Sequence, residues 1–107
     1  MSLVRTWQHR VVSWHVSVFG PPRQQWTALL LAEEVGELCR ATLKREQGIR
    51  GSDAKWAEEQ KKEAADVFIG LCSFAEACGF DLEAAIGTRW QDIRSRTKVT
   101  EQEERLP

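Results

Sequence analysis

Two groups of acidic residues lie on stretches of the chain that are otherwise mostly apolar. These stretches are residues 29–39, LLLAEEVGELC, and residues 63–71, EAADVFIGL. The acidic side chains are Glu33, Glu34, Glu37, Glu63 and Asp66. If both stretches are helical, spacings of three and four residues bring acids of the same group onto one face. Carboxylates in apolar surroundings need cationic partners or take up a proton, so these acids are candidates for binding a cation.

A hard divalent cation is the partner that such carboxylates suit best. Oxygen ligands favour Mg²⁺, with Mn²⁺ as a substitute, whereas zinc and copper prefer His or Cys. A di-iron bundle requires Glu-x-x-His on its helices. Neither His9 nor His15 stands three residues after a Glu. Both histidines are expected to be partly exposed helix residues without a catalytic role.

The alternative is that the acids belong to solvated helix faces that carry salt bridges. That explanation suits the mixed charges of residues 58–62, EEQKK. It suits the two acidic groups less well, because they recur on separate apolar stretches without interleaved lysine. The pattern alone leaves both explanations open.

Helical periodicity and the absence of alternating strand patterns predict an all-α chain of four helices. The predicted helices run over residues 3–18, from about 24 to 47, from a cap at Ser52 or Asp53 to about 78, and from a cap at Asp81 to about 96. Cys78-Gly79-Phe80 predicts a Schellman ending for the third helix. We expect one domain over residues 1–97 and a polar tail over residues 98–107.

The apolar positions also predict which helix faces are buried. The first helix has an apolar stripe at helical spacing, formed by Leu3, Trp7, Val11, Trp14 and Val18. The second helix is apolar on nearly all sides apart from its glutamates, so it is expected to be largely buried. Four helices of this size leave apolar faces uncovered, which favours a bundle completed by oligomerisation.

Composition narrows the possible partners. The 107 residues include 15 Lys and Arg against 16 Asp and Glu, for a net charge of −1. This balance argues against a protein that grips nucleic acid by bulk charge. No signal-peptide pattern or membrane-length apolar run is present, so we expect no membrane association. Cys39, Cys72 and Cys78 lack CxxC spacing, which favours free thiols and a cytoplasmic location.

The two acidic groups together resemble a known pair of motifs. Glu33 to Glu37 match EExxE and Glu63 to Asp66 match ExxD, in this order. Over roughly residues 5–96, the chain resembles the MazG-type nucleotide pyrophosphohydrolases. Their all-α NTP pyrophosphatase superfamily also includes dimeric dUTPases and dCTP pyrophosphatases.

The resemblance implies a set of roles for the acidic residues. The implied Mg²⁺ ligands are Glu34, Glu37, Glu63 and Asp66, while Glu33 holds a further metal or orients and deprotonates the attacking water. The implied reaction cleaves a nucleoside triphosphate between the α and β phosphates, giving a monophosphate and pyrophosphate. The implied biological role is removal of surplus or non-canonical nucleotides by a homodimer or homotetramer.

Four further residues are candidates for substrate binding. Lys44 lies two turns beyond Glu37 and is either a phosphate contact or a surface lysine at a helix C-terminus. Trp56 either stacks on a base or packs in the core. Relatives often carry Lys-x3-Asn-x2-Arg on the last helix. Here Arg89 replaces the Lys, Ile93 stands at the Asn position and Arg96 is retained, so the preferred base and sugar stay open.

The sequence is also compatible with two other functions. The first is a non-catalytic helical module that serves oligomerisation or protein interaction. The second is a related phosphohydrolase acting on another nucleotide pyrophosphate, such as a phosphoribosyl nucleotide.

Overall fold

The computed structural model describes residues 2–97, which form four α-helices without a strand. These helices are α1 (Leu3–Phe19), α2 (Gln24–Gln47), α3 (Asp53–Cys78) and α4 (Leu82–Thr97). The all-α class and the four predicted elements are confirmed, and the predicted polar tail lies outside the described residues. Within the described part, every helix is too short or too polar to cross a membrane.

Local signals at the ends of α3 explain why this helix begins and ends where it does. Ser52 is the N-cap, and its hydroxyl accepts a hydrogen bond from the Lys55 N–H at 3.1 Å. At the other end Gly79 has φ +78°, a left-handed conformation that glycine adopts without strain. The Phe80 N–H donates to the Ala75 carbonyl at 3.0 Å, which confirms the Schellman ending.

Helices α2 and α3 form an antiparallel hairpin, which is the main packing unit of the chain. Near the loop, the Gln60 amide of α3 donates to the Thr42 hydroxyl of α2 at 2.9 Å. Further along, a Cβ placed on Gly70 would lie 3.5 Å from Leu31 Cδ1, an ordinary van der Waals distance, so the two helices are in contact here and an alanine would also fit. Helix α1 packs against α3, and α4 packs against α1 and α3.

The buried face of α1 differs from the predicted stripe. Val11 is buried, but the other four members of the stripe are exposed, including Trp14 at 52%. The face that meets the rest of the fold carries Gln8, Val11 and His15. Gln8 and His15 are buried and form specific hydrogen bonds. The apolar stripe alone therefore predicted the wrong buried face for α1.

Helix α2 is also less buried than its composition predicts. Thr27 and Ala41 are buried, whereas Leu29 is 64% exposed and Val35 and Leu43 also face solvent. The reason is geometric, since α2 lies against α3 and the opposite side of α2 is left uncovered. This apolar surface is consistent with an oligomer, which stays a prediction.

Gln8 fastens α1 to the turn between α3 and α4. Its side-chain amide donates to the Phe80 carbonyl at 3.0 Å, and its side-chain oxygen accepts from the Leu82 N–H at 2.8 Å. Nearby, Arg5 pairs with Asp81 at 2.6 Å, and this contact lowers the pKa of the Asp81 carboxyl. Gln8 therefore satisfies two backbone groups that the turn itself leaves unpaired.

We predict that Gln8→Ala lowers the free energy of unfolding by about 2 kcal/mol. The substitution leaves the Leu82 N–H and the Phe80 carbonyl without hydrogen-bond partners at a buried junction. Urea denaturation followed by circular dichroism measures this loss. The exposed neighbour His9 provides the control, and His9→Ala should change stability by less than about 0.5 kcal/mol. Equal effects of the two substitutions would contradict the assigned role of Gln8.

Candidate metal centre and adjoining cavity

Three of the predicted acids meet between α2 and α3. Glu34 on α2 and Glu63 and Asp66 on α3 each offer one carboxylate oxygen, and these oxygens lie within 4.8 Å of one another. The antiparallel hairpin brings the three residues to the same level, although they are far apart in sequence. We refer to Glu34, Glu63 and Asp66 as the acidic triad.

The acidic triad has little positive charge to balance it. Burial raises the pKa of Glu34, and the neighbouring charges of Asp66 and Glu63 raise it further. Glu63 is 7% exposed and forms an ion pair with Lys62, whose Nζ lies 3.7 Å from Glu63 Oε1. Since Lys62 itself is largely exposed, solvent screens its charge and it neutralises the triad weakly.

The donor set of the triad suits a hard divalent cation. All three ligand atoms are carboxylate oxygens, the donors that Mg²⁺, Mn²⁺ and Ca²⁺ prefer. A bound cation would also offset the two effects that raise the pKa of Glu34, which are burial and the charges of the neighbouring carboxylates. The residues present therefore fit a cation of this class.

The other two predicted acids lie beside the triad without joining it. Glu33 and Glu37 are exposed on α2, and their charges contribute to the raised pKa of Glu34. Glu37 does not come within the 4.8 Å group, so the structure brings together three of the four predicted ligands. An exposed position keeps the Glu37 carboxylate in solvent, where repulsion between like charges is weaker.

A cavity of about 460 Å³ adjoins the triad, and Glu34 and Asp66 form part of its wall. Its other walls include Trp14 and Phe19 of α1 and Ile69 of α3. The volume falls within the range of about 300–1,000 Å³ that small-molecule sites occupy. Two larger hollows, of about 550 Å³ and 740 Å³, contain none of the triad acids in their walls.

His15 lines this cavity, contrary to the expectation that it is partly exposed. The residue is 3% exposed, and burial lowers its pKa, which favours the neutral imidazole. Its Nδ1 lies 3.1 Å from the Ser73 hydroxyl, whereas Nε2 has no hydrogen-bond partner among the described residues. Leaving a buried polar atom unpaired costs about 1–3 kcal/mol.

Sequence reasoning missed His15 because the tryptophan stripe dominated the periodicity of α1. The overlooked signal is its spacing, since His15 follows Gln8 and Val11 by whole helical turns and shares their face. The ring lies in an aromatic cluster with centroid distances of 5.2 Å to Phe19 and 5.5 Å to Trp26. Nothing in the spacing could reveal that Ser73 of α3 would meet it.

The expected stacking residue Trp56 does not offer a free ring face. It is 7% exposed, and its indole N–H donates to the Arg50 carbonyl. Lys55 Nζ lies 4.7 Å from the ring centroid, and the Arg40 guanidinium lies 6.0 Å away. This placement fits a residue that closes the α2–α3 loop and does not fit stacking on a nucleobase.

The remaining predicted substrate contacts are not gathered at the triad. Arg89 and Arg96 are exposed on α4, and both form ion pairs with Asp92, the Arg96 contact being 3.1 Å. Arg89 lines the 740 Å³ hollow and not the cavity beside the acids. Lys44 is half-buried on α2, beyond Glu37.

Comparison with known protein families, with curated proteins and with solved structures gives no match.

We predict that Glu34→Gln stabilises the cation-free protein at pH 7. The pKa of folded Glu34 lies above its ordinary value of 4.5, so the unfolded chain ionises first as pH rises. Stability therefore falls as pH passes from 4.5 through the raised pKa, and the penalty persists at pH 7. Removing the charge should raise the Tm in EDTA, as measured by differential scanning fluorimetry.

The same measurement with Mg²⁺ separates a cation site from simple repulsion. Millimolar Mg²⁺ should raise the wild-type Tm by about 5 °C or more and should leave Glu34→Gln nearly unchanged. Glu58→Gln is the matched control, because Glu58 is an exposed glutamate of α3 paired with Lys61. The cation site would be refuted if Mg²⁺ shifted all three proteins equally or none of them.

Proposed function

We propose that this chain is a divalent-cation-dependent nucleoside triphosphate pyrophosphohydrolase that converts a (d)NTP to a (d)NMP and pyrophosphate. The observation that carries the proposal is the position of the acidic triad beside a cavity with aromatic walls. The two features suit the two ends of a nucleotide, since carboxylates bind the cations that accompany phosphates and aromatic walls accept a planar ring. The paired EExxE and ExxD motifs support the same activity by resemblance.

In this proposal the acids have separate roles. Glu34, Glu63 and Asp66 hold Mg²⁺, for which Mn²⁺ can substitute, and the motif resemblance alone assigns Glu37 as a fourth ligand. A cation held by these acids would neutralise polyphosphate charge and polarise the reacting P–O bonds. Glu33 is exposed beside the triad, where its carboxylate is open to solvent water.

Glu33 is assigned to proton transfer or to a further cation. Hydrolysis adds one water across the link between the α and β phosphates, and pyrophosphate leaves with the electrons of the broken P–O bond. The water must lose a proton during this step, and in the first of these two roles the Glu33 carboxylate accepts it. The apolar walls at Phe19 and Ile69 keep bulk water away from the ring end of the substrate.

Basic residues enter the proposal as phosphate contacts. Lys44 lies on α2 beyond the acids and is the phosphate contact that we propose, whereas Arg89 and Arg96 pair with Asp92 on α4 away from the triad and are left out of the proposed site. A homodimer or homotetramer would cover the apolar side of α2. The biological role that we propose is house-cleaning of the cytoplasmic nucleotide pool.

The exposed apolar side of α2 also favours a second candidate, a non-catalytic module that binds other helices. This surface carries Leu29, Val35 and Leu43, all of which lie in solvent in the single chain. Such a module would not require the acidic triad, which is why the hydrolase is preferred.

A product assay tests the proposal. Purified protein is incubated with Mg²⁺ and a panel of dNTPs and NTPs, and the products are resolved by ion-exchange chromatography. We expect a monophosphate and pyrophosphate from at least one nucleotide. A diphosphate with inorganic phosphate would refute cleavage between the α and β phosphates, and the absence of product from every nucleotide would favour the non-catalytic module.

Variants connect that activity to the triad. Glu34→Gln and Asp66→Asn should each lower kcat by about 100-fold or more, because each removes a ligand of the charge-neutralising cation. Circular dichroism should show unchanged helicity, and Glu58→Gln should retain full activity. Retained activity in either triad variant would remove that residue from the cation site.

A further inference from the structure

The loop end of the α2–α3 hairpin carries an excess of positive charge. Residues 40–56 contain five basic and two acidic residues, although the whole chain has a net charge of −1. The five basic residues are Arg40, Lys44, Arg45, Arg50 and Lys55. Since a local excess of one charge attracts ligands of the opposite charge, this end of the hairpin is a candidate surface for binding an anion.

The acids of this segment leave most of its positive charge unbalanced. Asp53 pairs with Arg45 at 2.7 Å, and this contact lowers the pKa of the Asp53 carboxyl. Glu46 is exposed and forms no ion pair with the residues that the structure describes. Three exposed basic residues also have no ion-pair partner within residues 2–97, and we refer to them as the basic tip: Arg40, Arg50 and Lys55.

Trp56 brings cations from two helices to the same place. Its indole is buried, and the indole N–H donates to the Arg50 carbonyl. The guanidinium carbon of Arg40 on α2 lies 6.0 Å from the ring centroid, and Nζ of Lys55 on α3 lies 4.7 Å from it. A Cβ placed on Gly51 would lie 3.0 Å from Lys55 Cδ, so the lysine stem packs across this glycine. These contacts position two cations without an acid to neutralise them.

The arrangement of the two cations limits the kind of anion that fits. Arg and Lys both bind phosphate, Arg through a planar fork of donors and Lys as a point charge. Because Arg40 and Lys55 stand on different helices, an anion that contacts both must carry charged oxygens on more than one group. A chain of linked phosphates meets this requirement, whereas a single small ion such as chloride does not.

We propose that Arg40 and Lys55 form a binding site for a polyphosphate anion at the basic tip, separate from the acidic triad. Trp56 precedes Glu63 of the triad by seven residues of α3, which places the two sites about 10 Å apart along the helix. The bound anion offsets the repulsion between the two cations. The site goes beyond the proposed hydrolysis, and binding there requires no divalent cation.

An NMR titration of the wild-type protein tests the site. Sodium tripolyphosphate is added in EDTA at constant ionic strength while the indole N–H signals of the tryptophans are followed. EDTA leaves the triad without a cation, so its carboxylates repel the probe. We expect the Trp56 signal to shift to saturation. The Trp7 signal should stay unchanged, although the Arg10 guanidinium carbon lies 5.2 Å from the centroid of its ring.

Variants connect the binding to the two cations. Arg40→Gln and Lys55→Gln should each raise the Kd for tripolyphosphate by about 10-fold, because each removes a charge-assisted contact. Arg10→Gln is the matched control, since Arg10 is also an exposed arginine beside a tryptophan, and it should bind as the wild type does. Glu34→Gln should bind at least as tightly as the wild type, because the triad takes no part.

The outcomes separate this site from the proposed function. A Trp56 signal that does not move would overturn the inference, as would equal losses of affinity in Arg40→Gln and Arg10→Gln. Citrate that binds as tightly as tripolyphosphate would overturn the assignment to phosphate. The product assay with Mg²⁺ tests the hydrolase independently. A protein that shows no turnover but binds tripolyphosphate in EDTA would refute the proposed function and leave the basic tip as an anion site.

Discussion

Repulsion among the carboxylates between α2 and α3 is the constraint on which the rest of the structure depends. One carboxylate oxygen from each of Glu34, Glu63 and Asp66 lies within 4.8 Å of the others, and burial together with these neighbouring charges raises the pKa of Glu34. Apolar residues at these positions would make a more stable hairpin, because they would avoid both desolvation and like-charge repulsion. The extensive packing of α2 against α3 and the hydrogen bond from Gln60 to Thr42 hold the helices together despite this cost. A cation between these carboxylates would attract each of them and offset their mutual repulsion. The hairpin is therefore well suited to bind a cation.

Two buried polar residues of α1 differ in how completely their side-chain hydrogen bonds are satisfied. Gln8 has both of its polar atoms satisfied by the backbone between Phe80 and Leu82, so its burial is explained by the joining of α1 to the α3–α4 turn. His15 has one nitrogen satisfied by Ser73 and one unpaired. The first pattern is complete without a ligand. The second leaves one nitrogen without a partner among the described residues.

The sequence predicted the parts of the fold that local interactions determine. Ser52 and Gly79 mark the ends of α3 because capping depends on a few adjacent residues. The acids of the triad were also found, since helical spacing and apolar surroundings are visible along the chain. The buried face of α1 was predicted wrongly because its tryptophans outweighed Gln8 and His15, whose partners lie on distant segments. The exposure of Leu29 on α2 depends on which surfaces meet, and spacing within one helix does not contain that information.

The most direct test of the central claim is a crystal structure of the protein soaked in Mn²⁺, with anomalous diffraction data that locate the ion. An anomalous peak bridging the carboxylates of Glu34, Glu63 and Asp66 is the expected result, and it should disappear in Glu34→Gln crystals. Ordered side chains of the triad without a peak, or a peak elsewhere on the chain, would contradict the claim that this hairpin binds a divalent cation.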